Sequence, residues 1–122
     1  MIKADDETYQ IIGAAMRVHK ELGNGFLEAV YGDALEIEFT ARNIPYEREK
    51  KIGITYKDKP IKTPYYADFL CFGDIIIELK CVEALLPVHL AQVIHYLKAT
   101  KLTRGLLLNF KNQSLEIKRV VL

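Results

Sequence analysis

Apolar residues recur at helical spacing over the first forty positions and at strand spacing after Pro45. From about Asp5 to Leu22, the residues Ile11, Ile12, Ala15, Met16, Val18 and Leu22 form one stripe and predict a helix. Gly23-Asn24-Gly25 ends it, since these residues tolerate the left-handed backbone of a helix terminus. A second helix is predicted from about Leu27 to Arg42. Its broad stripe takes in Leu27, Val30, Tyr31, Ala34, Leu35, Ile37 and Glu38, and Asn43 before Pro45 closes it. The two helices form a hairpin with a very short joint.

Beyond Pro45, β-formers alternate with charge over Tyr46 to Tyr56, and Lys57-Asp58-Lys59-Pro60 reads as a turn. Strands are predicted at Pro64 to Phe72 and Asp74 to Lys80, joined around Gly73. The run Ile75-Ile76-Ile77 marks a central strand buried on both faces. Pro87 opens a third helix that runs to about Thr100, with Leu90, Val93, Ile94 and Leu97 inward. Arg104 to Phe110 is another buried strand, and Leu115 to Val121 alternates like an edge strand. The order ααβββαββ predicts an α/β (α+β) fold with a mixed central sheet flanked by helices.

Composition narrows the class of protein. The chain has 122 residues, half of them apolar and 27% charged, without repeat or linker, which predicts a single domain over residues 1–122. No apolar run approaches the roughly 18 residues of a membrane span, and Met1 to Gln10 contain no signal-peptide pattern, so no membrane partner is expected. Two cysteines, Cys71 and Cys81, suit free thiols in a reducing cytoplasm better than a disulfide framework. The formal charge of +1 does not advertise a nucleic-acid binder, nor does it exclude a local basic rim around an acidic site.

The chemistry concentrates in Asp68 and, ten positions on, Glu78-Leu79-Lys80. Strand alternation puts Glu78 and Lys80 on one face with Ile76, and Ile75, Ile77 and Leu79 on the other. Charges at the end of so apolar a strand need partners, and Mg²⁺ suits carboxylate oxygens while leaving room for water and a phosphate. Register decides whether Asp68 can join them. A two-residue turn would pair Asp68 with Leu79, whereas a three-residue loop, Phe72-Gly73-Asp74, sets Asp68 opposite Glu78. On the following helix His89, Gln92 and Tyr96 share a face and border a polar pocket. The plain alternative is that Asp68, Glu78 and Lys80 are solvated strand-end charges.

Asp68…Glu78-Leu79-Lys80 resembles the PD-(D/E)XK nuclease signature, with Ala67 in place of the proline, and Gln92-Val93-Ile94-His95-Tyr96 is similar to the Q-x-x-x-Y element of RecB-like and Cas4-like members. Gly25-Phe26-Leu27-Glu28-Ala29-Val30-Tyr31 matches the motif that names the GxxExxY family, and the likeness continues through Val18-His19, His89, Tyr96 to Thr100 and Asn109-Phe110. The resemblance implies a restriction-endonuclease-like core. It implies Mg²⁺ (or Mn²⁺) on Asp68 and Glu78, with the Leu79 carbonyl as a further ligand and Glu28 completing the shell directly or through water. Lys80 would position or help deprotonate the attacking water. Gln92 and Tyr96 would orient the lysine, the metal water or the substrate backbone. Glu28 has another reading, as a first-turn carboxylate favoured by the helix dipole, and Tyr31 as a packing residue.

Substrate contacts are expected at Tyr31, Lys50, Lys51 and His89, within a wider basic set that includes Arg48, Lys57, Lys59 and Lys62 on the hairpin and Lys98, Lys101 and Arg104 after the third helix. His19 and His95 read as partly buried histidines, and Cys81 as a packing residue. The function expected is Mg²⁺-dependent hydrolysis of DNA phosphodiester bonds by metal-activated water, with a homodimer or protein partner to supply specificity. Two alternatives stay open: a catalytically weak or inactive module of the same fold acting in nucleic-acid or protein binding, and a hydrolase of a small phosphorylated molecule.

Overall fold

The computed structural model describes residues 4–122; of Met1 to Gln10, read above for a signal peptide, Met1 to Lys3 lie outside the described residues. Helices α1 (Ala4–Leu22) and α2 (Glu28–Ala41) are followed by strands β1 (Tyr46–Ile52), β2 (Thr55–Tyr56), β3 (Lys59–Pro60), β4 (Tyr65–Cys71) and β5 (Ile75–Lys80). Helix α3 (Pro87–Thr100) and strands β6 (Arg104–Asn109) and β7 (Glu116–Val121) complete the order. Five strands form one sheet, β1-β4-β5-β6-β7, with β5 in the centre. The sheet is mixed: β5 and β6 run parallel because α3 carries the chain across, and every other neighbouring pair is antiparallel.

The isoleucine run of β5 divides between two cores. Ile75, Ile77 and Leu79 pack with Phe69, Leu106 and Leu108 beneath Ile11, Ala15, Tyr31, Leu35 and Phe39 of α1 and α2. Ile76 joins Ala67, Leu70 and Leu107 beneath Val93, Tyr96 and Leu97 of α3. Gly105 permits the close approach of α3: a Cβ there would stand 2.7 Å from Val93 Cγ1. No helix among the described residues is long and apolar enough to cross a membrane.

The expected elements are present, with three departures. Met16, Leu27 and Ile37 are exposed instead of inward; the buried line of α2 is Tyr31, Gly32, Leu35 and Phe39, and Leu27 precedes the helix. The segment read as one strand to Tyr56 breaks after Ile52. Thr55–Tyr56 pairs instead with Lys59–Pro60 in a separate small hairpin, whose turn residues Lys57 and Asp58 both have positive φ, as a tight two-residue turn requires. Strand alternation also reverses face at one point. Phe69 and Cys71 face α1 and α2, whereas Ala67 faces α3. The pairs Arg48↔Phe69 and Lys50↔Ala67 flank that point and put Glu49, at φ 53°, across from Asp68.

Candidate active site

The β4–β5 hairpin determines whether Asp68 and Glu78 can meet. Phe72 (φ 57°) and Gly73 (φ 65°) make the bend, Asp74 N–H donates to the Cys71 carbonyl at 3.1 Å, and Cys71 pairs with Ile75. The loop is therefore the three residues Phe72 to Asp74, the odd length the cation reading required. The register Cys71↔Ile75, Leu70↔Ile76, Phe69↔Ile77 brings Asp68 next, opposite Glu78.

At that step side chains take over from the main-chain ladder. Asp68 N–H donates to Glu78 Oε1 at 3.1 Å, and Leu79 N–H donates to Asp68 Oδ2 at 2.7 Å. Each carboxylate occupies the gap where the two strands part. A strand residue sends its N–H and C=O toward the same neighbour, so the Leu79 carbonyl also faces β4. Glu78 is 4% exposed. Burial, reinforced by repulsion from Asp68, pushes its carboxyl up to about 8, against a smaller opposing pull from Lys80.

Three elements close around the pair. Glu28 opens α2, exposed at the mouth. Partial burial and the charge of Asp68 raise its carboxyl above the ordinary value, while Lys80 opposes the rise. Lys80 ends β5, half-buried, with its charge felt by both Glu28 and Glu78. On α3, Gln92 Nε2 donates to the Tyr96 hydroxyl at 3.2 Å. The Tyr96 phenol is raised by burial and then by Glu78, with Asp68 adding to the effect. Glu28, Asp68, Glu78, Lys80, Gln92 and Tyr96 thus share one electrostatic neighbourhood, fed from both faces of the sheet. A cavity of about 160 Å³ lies beside it, lined by Glu28, Gly32, Arg48, Glu49, Asp68 and Leu79.

Among the described residues no trio of His, Cys, Asp or Glu is gathered tightly enough to cage a cation. Two adjoining carboxylates with an available carbonyl still fit Mg²⁺, which keeps several waters and takes one or two protein carboxylates beside a phosphate. Asp68, Glu78 and the Leu79 carbonyl are the groups that would hold it, and Glu28 could reach it through water.

Other expected residues lie elsewhere. Tyr31 is fully buried. Its hydroxyl donates to the Gly23 carbonyl at 2.6 Å and accepts from Phe26 N–H at 3.3 Å, and its ring stacks on Phe110 at 4.6 Å. It fixes the α1–α2 joint and hence the start of α2, where Glu28 sits. His89 Nδ1 accepts from Leu86 N–H at 2.9 Å and caps α3. Lys50 pairs with Glu47 at 3.2 Å and Lys51 is exposed, both on the edge strand β1. Arg48, counted among the basic residues open to phosphate, is bound to Asp33 at 2.6 Å and Glu36 at 3.0 Å of α2. Arg104 is likewise engaged by Glu7 and Asp74. Buried His19 bonds the Asn112 carbonyl through Nε2, while His95 is exposed. Burial raises the Cys81 thiol, consistent with an unreactive packing residue.

Two contributors escaped the sequence reading. Glu49 carries no signal, since a glutamate between Arg48 and Lys50 looks like ordinary strand alternation. Asn109, fully buried, accepts from Val82 N–H at 3.0 Å and donates to the Val82 carbonyl at 2.7 Å, pinning the segment between Lys80 and α3.

A family model of the PD-(D/E)XK nuclease superfamily matches residues 5–120, and the chain belongs to that superfamily. The crystal structure of SSO0001 superposes over 99% of this chain and 70% of its own, with a TM-score of 0.53 and 19% identity, a likeness of fold alone. A comparison with curated proteins finds no match.

Proposed function

We propose that the protein is a divalent-cation-dependent nuclease that hydrolyses phosphodiester bonds in DNA, with water as nucleophile and no covalent intermediate, and that it belongs to the GxxExxY group of its superfamily. The observation that carries this reading is the interlock of Asp68 and Glu78, two acids held together where the strands part. Natural selection of an apolar partner would remove that electrostatic cost; a site for a cation gives it a purpose. Bound Mg²⁺ supplies a lowered pKa for its water and offsets charge on the phosphate.

The chain's own residues do the rest. Asp68 and Glu78 supply negative charge at a fixed spacing. Lys80 carries a positive charge beside them, placed to orient the water and stabilise the phosphate in the transition state. Gln92 holds the Tyr96 hydroxyl toward the same region and sets the orientation of the substrate backbone. The free thiols Cys71 and Cys81 suit a reducing cytoplasm.

The test is cleavage of single- and double-stranded DNA with Mg²⁺ and with EDTA. Cleavage in Mg²⁺ that is lost in Glu78→Ala supports the nuclease. Cation-dependent DNA binding without cleavage supports the second reading, a catalytically weak module, which the near-neutral charge of +1 favours.

A further inference from the structure

A cavity of about 340 Å³ lies against α3, with Val88, Gln92, His95 and Tyr96 on the helix and Ile54 and Tyr65 facing them. Its size is at the small end of ligand sites, and its composition is theirs: mostly apolar walls with a few polar groups. Tyr65 is 43% exposed, and its ring meets Tyr96 edge-on with centroids 6.3 Å apart. Gln92 and His95 provide hydrogen-bonding edges. The walls therefore offer an aromatic surface, aliphatic contacts and amide and imidazole groups within one concavity.

The cavity lies on the α3 side of the sheet, where Ala67 and Ile76, on the strands that carry Asp68 and Glu78, share a packed cluster with Tyr96. Gln92 and Tyr96 line the cavity and are bonded to one another, and the Tyr96 phenol lies within the influence of Glu78 and Asp68. Ile61 N–H donates to the Ile54 carbonyl at 2.8 Å, which roots the β2–β3 hairpin at the cavity wall, and that hairpin carries exposed Tyr56, Lys57 and Lys59. Exposed aromatic rings among lysines, next to a site for phosphate, are the arrangement that binds single-stranded nucleic acid.

The geometry points to this cavity as a subsite for one unpaired nucleobase of the strand whose phosphate lies at Asp68 and Glu78, so that the substrate is single-stranded or frayed DNA. This rests on the nuclease reading and adds the form of its substrate. A base in a duplex is stacked and paired, and it enters a concavity only by leaving the helix. The base stacks on Tyr65, packs on Ile54 and Val88, and turns its polar edge toward Gln92 and His95.

The test measures binding by fluorescence anisotropy with Ca²⁺ in place of Mg²⁺ to hold off cleavage. The probes are a single-stranded DNA 12-mer, the same 12-mer as a blunt duplex, and a 12-mer that lacks all its bases. Wild type is expected to bind the normal single strand at least tenfold tighter than either of the others. Tyr65→Ala, and Ala91→Phe at a residue that also lines the cavity from α3, should each weaken single-strand binding about tenfold and leave the abasic strand unaffected, while Tyr65→Phe binds as wild type. Either substitution suffices if the other fails to fold. Equal binding of normal and abasic strands, or folded variants that bind like wild type, would overturn the subsite; should Mg²⁺-dependent cleavage persist in that case, the nuclease reading survives. Failure of every strand to bind would remove both.

Discussion

The amide of Asp68 donates to the carboxylate of Glu78 at 3.1 Å, on the register line where these two residues face each other across β4 and β5. Side chain has replaced main chain in the ladder there, and the fold pays for that exchange with a buried acid. The consequences can be measured on the folded protein before any substrate is known.

The first concerns pH. Burial and the neighbouring Asp68 push the Glu78 carboxyl up to about 8 in the folded state, above its ordinary 4.5. Between those values the native state keeps a proton that the unfolded chain releases, so stability of the metal-free protein falls as pH rises through about 4.5 to 8. The loss is on the order of a few kcal/mol. Denaturant unfolding of wild type and Glu78→Gln across that range should show a falling curve and a flatter one. A wild-type curve that rises over the window would contradict the assignment.

Lys80 separates binding from chemistry. Lys80→Ala removes a positive charge near Glu78 and Glu28 without touching either proposed carboxylate ligand. Cleavage is expected to drop at least a hundredfold, a loss of the size that removal of one transition-state charge contact produces. Mn²⁺ affinity should stay within about tenfold of wild type. Loss of both together would make Lys80 a structural residue.

Tyr31 distinguishes a joint from a substrate contact. Tyr31→Phe leaves the stack on Phe110 and deletes the hydroxyl bonded to the Gly23 carbonyl, which should cost about 1–3 kcal/mol of stability. Cleavage per folded molecule should change little. A folded Tyr31→Phe protein with a raised KM would restore the substrate role.

How far the sequence reached depends on what kind of pattern each feature leaves. The helices and the central strand follow from periodicity, because alternation makes faces countable, whereas the meeting of Asp68 with Glu78 hung on a turn length that the sequence left open and the Phe72–Asp74 loop decides. Tyr31 and Glu49 fall outside that counting. A motif tyrosine gives the same spacing whether it points at a substrate or, as here, at the carbonyl of Gly23. The strand face reverses between Phe69 and Ala67, across from Glu49 in the left-handed region, and no residue type announces it. Arg48 and Arg104 looked open to phosphate because their partners, Asp33 and Glu36 in one case and Glu7 and Asp74 in the other, are distant in sequence.

Glu49 itself is testable. A non-glycine residue in the left-handed region carries a penalty, and Glu49 holds φ 53° on an exposed strand edge. Glu49→Gly should raise stability by up to about 1 kcal/mol, net of glycine's greater freedom in the unfolded chain. Thermal unfolding reads the change, and an unaltered or lowered Tm would show that the backbone there is relaxed.

The most direct measurement is calorimetric titration of Mn²⁺ at pH 7 into wild type and Glu78→Ala, in two buffers of different ionisation enthalpy. The account predicts one site in wild type, release of a proton to the buffer as Glu78 ionises, and affinity at least tenfold weaker in the variant. Equal affinity in the two folded proteins, with no difference between buffers, would contradict it.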